Sequence, residues 1–190
     1  EDMTIRSDPR IQAVVPTLEQ LKDAAIVLIA HQSRLGKKDC TDLDIHAKQL
    51  NKYLDGRVSF VNDLFGEKAI QAINDLEPGK ILLLNNVRKW PTETEVKSIE
   101  EAEQTELIEK LSPLFDFYVH DAFGAAHRAQ VSLVGWPKIW AGPTVEKELK
   151  MVQKLFQPEK PSVWLVGGAK AIDKFKAIRH NLEAGTIDKV

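Results

Sequence analysis

Short apolar runs that stop abruptly at polar residues set the strongest limit on how this chain can fold. Ala25-Ile-Val-Leu-Ile-Ala30, Val58-Ser-Phe-Val61, Ile81-Leu-Leu-Leu84, Phe117-Tyr-Val119 and Val163-Trp-Leu-Val166 have the length and composition of buried strands. Ile187-Asp-Lys-Val190 opens in the same way. Helical spacing fills the stretches between them. Pro16-Thr-Leu-Glu-Gln-Leu-Lys predicts a helix with Pro16 in its first turn, after a turn-like segment from Asp2 to Pro9. Thr41-Asp-Leu-Asp44 reads as a capped helix start that places Leu43, Ala47, Leu50 and Leu54 on one face. Ala69, Ile70, Ile73 and Leu76 form a third apolar face, and Glu93 to Glu109 is acidic, helical in its second half and expected to be a solvated face. Trp136 to Trp140 reads as irregular, Val145 to Phe156 as a helix, Gln157 to Pro161 as a linker, and the residues after Lys170 as a basic helix through His180. Strands alternating with helices predict an α/β chain with a largely parallel sheet.

In such a sheet the carboxyl ends of the strands lie along one edge, where ligands bind. Three of the predicted strands end in basic loops: His31 and Arg34 after the first, Arg88 after the third, His127 and Arg128 after the fourth. Arg10 precedes the first helix and can join them. In the fourth loop Gly124, with Ala125 and Ala126, lets the backbone pass close to a ligand. Any one of these arginines alone reads as a surface residue paired with the abundant Asp and Glu. Three at matching strand ends, with Arg10 able to join them in one cleft, would repel each other without a multiply anionic ligand, and the guanidinium fork suits phosphate or carboxylate. Gly167-Gly-Ala-Lys170, between a strand and a helix, is a second anion signal, and Lys174 follows one turn later. The full Walker pattern is absent, so an ordinary strand-to-helix turn remains open for this loop.

Other chemistries find no support. The net charge of −2 gives no field for nucleic acid or membrane, and no stacking aromatics interleave the basic loops. Ala24 to Ala30, the longest purely apolar run, is far short of the roughly 20 residues that span a bilayer. The single cysteine, Cys40, excludes an internal disulfide and fits a reducing cytoplasm. The histidines lack metal-ligand spacing, and Ser33 and Ser132 lack the setting of an activated nucleophile.

Asp8-Pro-Arg-Ile11, Ala30-His-Gln-Ser-Arg34, Leu84-Asn-Asn-Val-Arg88, Val119-His-Asp-Ala-Phe-Gly-Ala-Ala-His-Arg128, Glu146-Lys-Glu-Leu149 and Gly167-Gly-Ala-Lys170 with Asp173-Lys174 follow one another in this order. In these motifs the chain resembles phosphoglycerate kinases, the archaeal branch above all. The resemblance implies a Rossmann-like three-layer α/β/α fold and a cytoplasmic, monomeric enzyme of two domains that closes like a hinge. It would transfer a phosphoryl group reversibly between 1,3-bisphosphoglycerate and ADP, giving 3-phosphoglycerate and ATP in glycolysis and gluconeogenesis. Residues 1–142 would be the substrate domain without its first strand, 143–157 the interdomain helix, and 158–190 the first strand and helix of the nucleotide domain. By position, Arg10, His31, Arg34, Arg88, Gly124 and Arg128 match substrate-binding residues, with Arg10 also stabilising the transferring phosphoryl group. Gly167, Gly168, Lys170 and Lys174 match the nucleotide site, with Lys170 catalytic and Mg2+ arriving with ATP or ADP. Departures accompany the match. The family's first strand with its Asp-x-Asn motif would precede Glu1, and most of the nucleotide domain would follow Val190. The loop usually reading His-x-Gly-Arg-Pro is His31-Gln-Ser-Arg-Leu35, Asn85 stands for a usual glutamate, and His120 for a usual asparagine. The chain alone is accordingly expected to be inactive. A non-catalytic relative that binds an anion or a protein partner is the other reading these departures leave open.

Overall fold

The computed structural model describes residues 4, 5, 7–167 and 171–190, which fall into two compact units, 1–145 and 146–190. In the first unit the order is α1 (Pro9–Gln20), β1 (Ile26–Leu28), α2 (Asp44–Leu50), β2 (Val58–Phe60), α3 (Glu67–Asn74), β3 (Ile81–Leu83), α4 (Ile99–Glu103), α5 (Glu106–Leu111), β4 (Tyr118–His120), α6 (Val131–Val134) and β5 (Ile139–Ala141). Helix α7 (Pro143–Phe156) starts in this unit and continues into the second, which also holds α8 (Ala171–Glu183).

Strand β3 lies between β1 and β2, parallel to both, with Ile81 opposite Ile26 on one side and Val58 on the other. Every residue of β3 is buried, as a continuous apolar run in a parallel sheet requires. Its side chains alternate between two cores. Ile81 and Leu83 pack with Leu18 of α1 and with Leu43, Ala47, Leu50 and Leu54 around α2. Leu82 and Leu84 pack with Ala69, Ile73, Leu107, Leu111 and Val131 from α3, α5 and α6. Helices on both faces of a parallel sheet make the Rossmann-like α/β architecture that the run lengths predicted.

The structure corrects several local expectations. Helix α1 begins at Pro9, and Pro16 sits inside it rather than in its first turn. Pro9 takes the N1 position, where a missing N–H costs nothing, and tertiary contacts carry the helix past Pro16. No side chain caps α2; Leu43 occupies the N-cap position, although the apolar face falls where its spacing placed it. Glu93, which opens the stretch expected to be a solvated face, is fully buried, with Ser132 donating to its carboxylate. Phe117 to Val119 is not a buried strand, since Phe117 is 68% exposed and Val119 is 37% exposed. Strand β4 pairs instead, in parallel, with β5, which lies in the stretch read as irregular. Pro137 and the exposed Trp140 obscured β5, as edge strands tolerate both. Phe117 and Trp140 meet edge to face with ring centroids 6.1 Å apart. In the second unit, the strand expected over 163–166 reduces to a single parallel bridge between Val163 and Lys189. Gly168 and Lys170 lie outside the described residues. No helix among the described residues is long and apolar enough to cross a membrane.

Candidate anion site

Three loops leave the strand ends together, and one buried amide ties two of them. Asn86, fully buried, accepts from Gln32 N at 3.0 Å and from Arg88 N at 3.2 Å. Its Nδ2 donates to the Gln32 and Thr41 carbonyls, each at 3.0 Å. The loop after β1 is thereby fastened to the short 3-10 turn Val87–Lys89 after β3. Arg88 then ties in the third loop. Its Nη1 donates to Ser33 O at 2.8 Å and its Nη2 to Gln130 Oε1 at 3.0 Å, and the side chain is buried. Ser33 adopts a φ of 60°, which sets its carbonyl toward Arg88 at some steric cost for a non-glycine residue. Arg88 Nε has no hydrogen-bond partner among the described residues.

Around this fixed guanidinium stand the other basic groups. Burial and the charges of Arg88, Arg128 and Arg10 push the His31 pKa down to about 4. Burial, with Arg128 and Arg34 nearby, lowers that of Arg88, while Glu93 and Cys40 oppose the shift. The structure thus brings Arg10, Arg88 and Arg128 within electrostatic range of His31, and Arg34 and Arg128 within range of Arg88. His31 is neutral at pH 7, so the positive charge of the cluster belongs to the arginines. None of the four forms an ion pair among the described residues, whereas Arg57 pairs with Glu19 and Arg179 with Glu183. The reading of ordinary surface arginines neutralised by carboxylates therefore fails here. Gly124 sits exposed in the 3-10 turn Phe123–Ala125, and no protein atom lies within 4 Å of where its Cβ would be. That open side is the room a ligand needs.

The histidine makes the cluster acid-sensitive. Its folded pKa is below the unfolded value, so the unfolded chain binds more protons between about pH 6.5 and 4. The stability associated with neutral His31 is complete above that window and is lost as pH falls through it. A multiply charged anion reverses the sign of the local field and raises the His31 pKa. Binding at pH 5.5 is therefore expected to take up protons, read as a dependence of calorimetric heat on buffer ionisation enthalpy. His31→Gln should change that dependence by the His31 share, the remainder coming from titration of a phosphate group on the anion at about pH 6, and an unchanged dependence would show that His31 does not face the anion.

Several supporting residues escaped the sequence reading. Gln130 holds Arg88, and Glu93, fully buried, accepts from Ser132 N at 2.9 Å and Ser132 Oγ at 2.7 Å beneath it. Asn85 donates to Asp42 at 2.7 Å and Asn62 at 2.5 Å, cross-linking loops rather than facing the arginines. A wide depression of about 510 Å³ beside Phe65 and Trp90 contains none of the four arginines. The lysines on its rim, Lys89 and Lys110, are paired with Asp42 and Glu106, so it lacks the unneutralised charge of the cluster. In the second unit Lys174 Nζ donates to the carbonyl of Gly167, which puts these two nucleotide-site candidates at one turn. Among the described residues no group of three or more His, Cys, Asp or Glu side chains could hold a metal ion.

Comparison with known proteins gives a consistent result. The family model described as phosphoglycerate kinase matches residues 1–190. The phosphoglycerate kinase of Archaeoglobus fulgidus is 38% identical over 190 residues, covering 98% of this chain and 47% of that protein. That of Methanothermobacter thermautotrophicus is 41% identical over 196 residues, covering all of this chain and 47% of that protein. Among solved structures, phosphoglycerate kinase from Pyrococcus horikoshii OT3 superposes with a TM-score of 0.93 at 36% identity, over 99% of this chain and 48% of that one. The enzyme from Coxiella burnetii gives 0.76 at 29% identity. The chain spans about half the length of the curated relatives it matches.

Proposed function

The chain belongs to the phosphoglycerate kinase family, and we propose that it carries the substrate half of an enzyme that moves a phosphoryl group between 1,3-bisphosphoglycerate and ADP. The observation that carries this reading is the gathering of Arg10, Arg34, Arg88 and Arg128 around His31, none of them in an ion pair among the described residues and only Arg88 within range of a carboxylate, the buried Glu93. Such a cluster is costly to assemble unless a multiply charged ligand completes it. In 3-phosphoglycerate the phosphate and the carboxylate supply that charge. Arg88 is the rigid floor, because both of its arms are already fixed by protein acceptors. The exposed Arg10, Arg34 and Arg128 are free to close on the ligand, His31 lends a neutral imidazole, and Gly124 admits it past the backbone.

Phosphoryl transfer depends on alignment and on positive charge around the equatorial oxygens more than on covalent help. Arg10 would face the transferring group. Lys170 and Lys174, with Gly167 and Gly168, would hold the nucleotide phosphates, and Mg2+ would enter as part of the ATP or ADP substrate. In this assignment residues 1–142 are the substrate domain, 143–157 the helix between domains and 158–190 the beginning of the nucleotide domain. Closure of the complete enzyme would exclude water before transfer. A monomer in the cytoplasm suits these small anionic substrates.

Calorimetric titration of the 190-residue chain with 3-phosphoglycerate, beside Arg34→Ala, tests the reading. Saturable binding that the substitution weakens at least tenfold supports it. Binding indifferent to Arg34 would move the anion elsewhere. The same chain, which spans about half the length of the curated relatives it matches, is expected to show no ATP-dependent turnover, and measurable turnover would overturn the division of roles.

A further inference from the structure

Asp121 is the first residue after β4, just ahead of the turn that carries Gly124 and leads to Arg128. Its carboxylate collects four donors. Oδ2 accepts from Thr17 Oγ1 at 2.6 Å and Thr144 Oγ1 at 3.0 Å, and Oδ1 from Thr144 N at 2.7 Å and Val145 N at 3.2 Å. The two amides belong to the first turn of α7, whose N–H groups have no partner within the helix. Gly142 lies against the same carboxylate, and a Cβ there would stand 2.5 Å from Oδ1. With both oxygens engaged, Asp121 is not an ion-pair partner for the arginines and not a ligand for the anion.

The bond from Thr17 reaches across to the helix that bears Arg10. Thr17 follows Arg10 by seven positions, so the two share a face of α1 two turns apart. At this end helix α1 is otherwise held to the rest of the unit by the Glu19–Arg57 ion pair and by the core around Leu18, on which Ile11, Val14 and Val15 also pack, and neither of these reaches the β4 turn. Only Thr17 and Leu18 of its residues are buried, and Pro16 has just removed one of its backbone donors. At its other end Asp8 accepts from Tyr53 at 2.6 Å and Gln49 at 2.5 Å, which fixes the start of the helix against α2 and its C-terminal extension but not against the β4 turn. Among the described residues the Thr17–Asp121 bond is the direct polar link between the Arg10 helix and the Arg128 turn.

We propose that Asp121 is a positioning residue for anion binding: through Thr17 it holds the helix of Arg10 against the turn of Arg128, so that both guanidinium groups face one anion. The inference rests on the reading of the arginine cluster as the 3-phosphoglycerate site. Preorganisation of this kind is felt as affinity, because a loosened helix must be ordered at the moment of binding.

A double-mutant cycle in the full-length enzyme separates this role from a merely structural one. Thr17→Val keeps the shape and removes the donor. It is expected to weaken 3-phosphoglycerate binding about fivefold, the effect of one part-buried hydrogen bond, and Thr17→Ser should restore it. In an Arg10→Ala background the same substitution should change affinity by less than about twofold, since there is no longer an Arg10 to place. Its effect on the melting temperature should be equal in both backgrounds. Equal weakening with and without Arg10, or none in the parent, would overturn the proposal. Arg10→Ala binding like the parent would instead remove the anion-site reading itself, and this inference with it.

Discussion

Replacing Arg128 by alanine is expected to weaken 3-phosphoglycerate binding roughly 10- to 100-fold while leaving the melting temperature unchanged or higher. Arg128 is exposed and forms no ion pair among the described residues, so nothing in the fold loses a partner when it goes. A hydrogen bond to a charged ligand group contributes about 1.5–3 kcal/mol, which is the stated range of affinity. The stability prediction has the opposite sign because Arg128 acts unfavourably on its neighbours. Its charge helps hold His31 near a pKa of about 4 and lowers that of Arg88. Removing it relieves both, so the His31 pKa should move back toward 6.5 and the acid limb of the stability curve should flatten. Function and stability thus oppose each other at one residue, as expected where like charges are gathered for a ligand. Calorimetry with 3-phosphoglycerate and a thermal melt at pH 7 and pH 5 check the two halves separately. A loss below twofold in affinity, or a clear fall in melting temperature, would mean that Arg128 serves the fold rather than the anion.

What the sequence made legible follows from which signals are local. Leu43, Ala47, Leu50 and Leu54 were readable as one face because burial on a helix imposes its own period. The alternation of Ile81 and Leu83 with Leu82 and Leu84 between two cores follows from strand geometry alone. Convergence of the loops after β1 and β3 was also readable, since those strands run parallel in one sheet. The loop after β4, which pairs with β5 in a separate two-stranded sheet, is joined to them by the Arg88–Gln130 bond, which no local signal announces. The errors arose where a distant partner overrides a local rule. Pro16 looks like a helix start, yet Asp8, Leu18 and the bond to Asp121 keep α1 intact on both sides of it. Phe117 looks buried because it is apolar, but β4 has β5 as its strand partner among the described residues and leaves that ring against Trp140 in solvent. Within the site, the arginines announced themselves by type and place. Gln130, Asn86, Glu93 and Asp121 did not, because a polar side chain in a loop has no visible partner until the loops are brought together. That none of the four arginines forms an ion pair among the described residues was equally invisible, in a chain with as many acidic residues as this one.

Glu93→Ala is expected to be the most destabilising of these substitutions, at about 3 kcal/mol or more. Glu93 is fully buried and accepts both the backbone N–H and the hydroxyl of Ser132. That N–H lies in the first turn of α6, where no residue of the helix can satisfy it. Ser132 is itself a junction, since its carbonyl accepts from Tyr118 OH at 2.5 Å and Trp136 Nε1 at 3.0 Å. The Tyr118 and Trp136 rings stack there with centroids 4.7 Å apart. Alanine would strand a buried donor and open a cavity, each of which costs about 1–3 kcal/mol or more. For a chain of this size that corresponds to a fall of roughly 6–12 °C in melting temperature. Glu93→Gln should keep most of the stability, because its carbonyl can accept from Ser132 N and its amide can donate to Ser132 Oγ. The pH dependence separates the two effects. Burial raises the Glu93 pKa above its usual value, against the hydrogen bonds from Ser132 and the charge of Arg88. The folded chain therefore holds this proton more tightly than the unfolded chain, and the carboxylate costs stability increasingly as pH rises from about 4.5 through the folded value. Glutamine carries no such cost, so its melting temperature relative to the parent should improve from pH 4 to pH 7, while contributions common to both, such as that of His31, cancel. An alanine variant that melts within about 2 °C of the parent would show that Ser132 finds another acceptor, and a glutamine variant whose difference is flat with pH would show that the Glu93 carboxylate carries no burial cost in the folded chain.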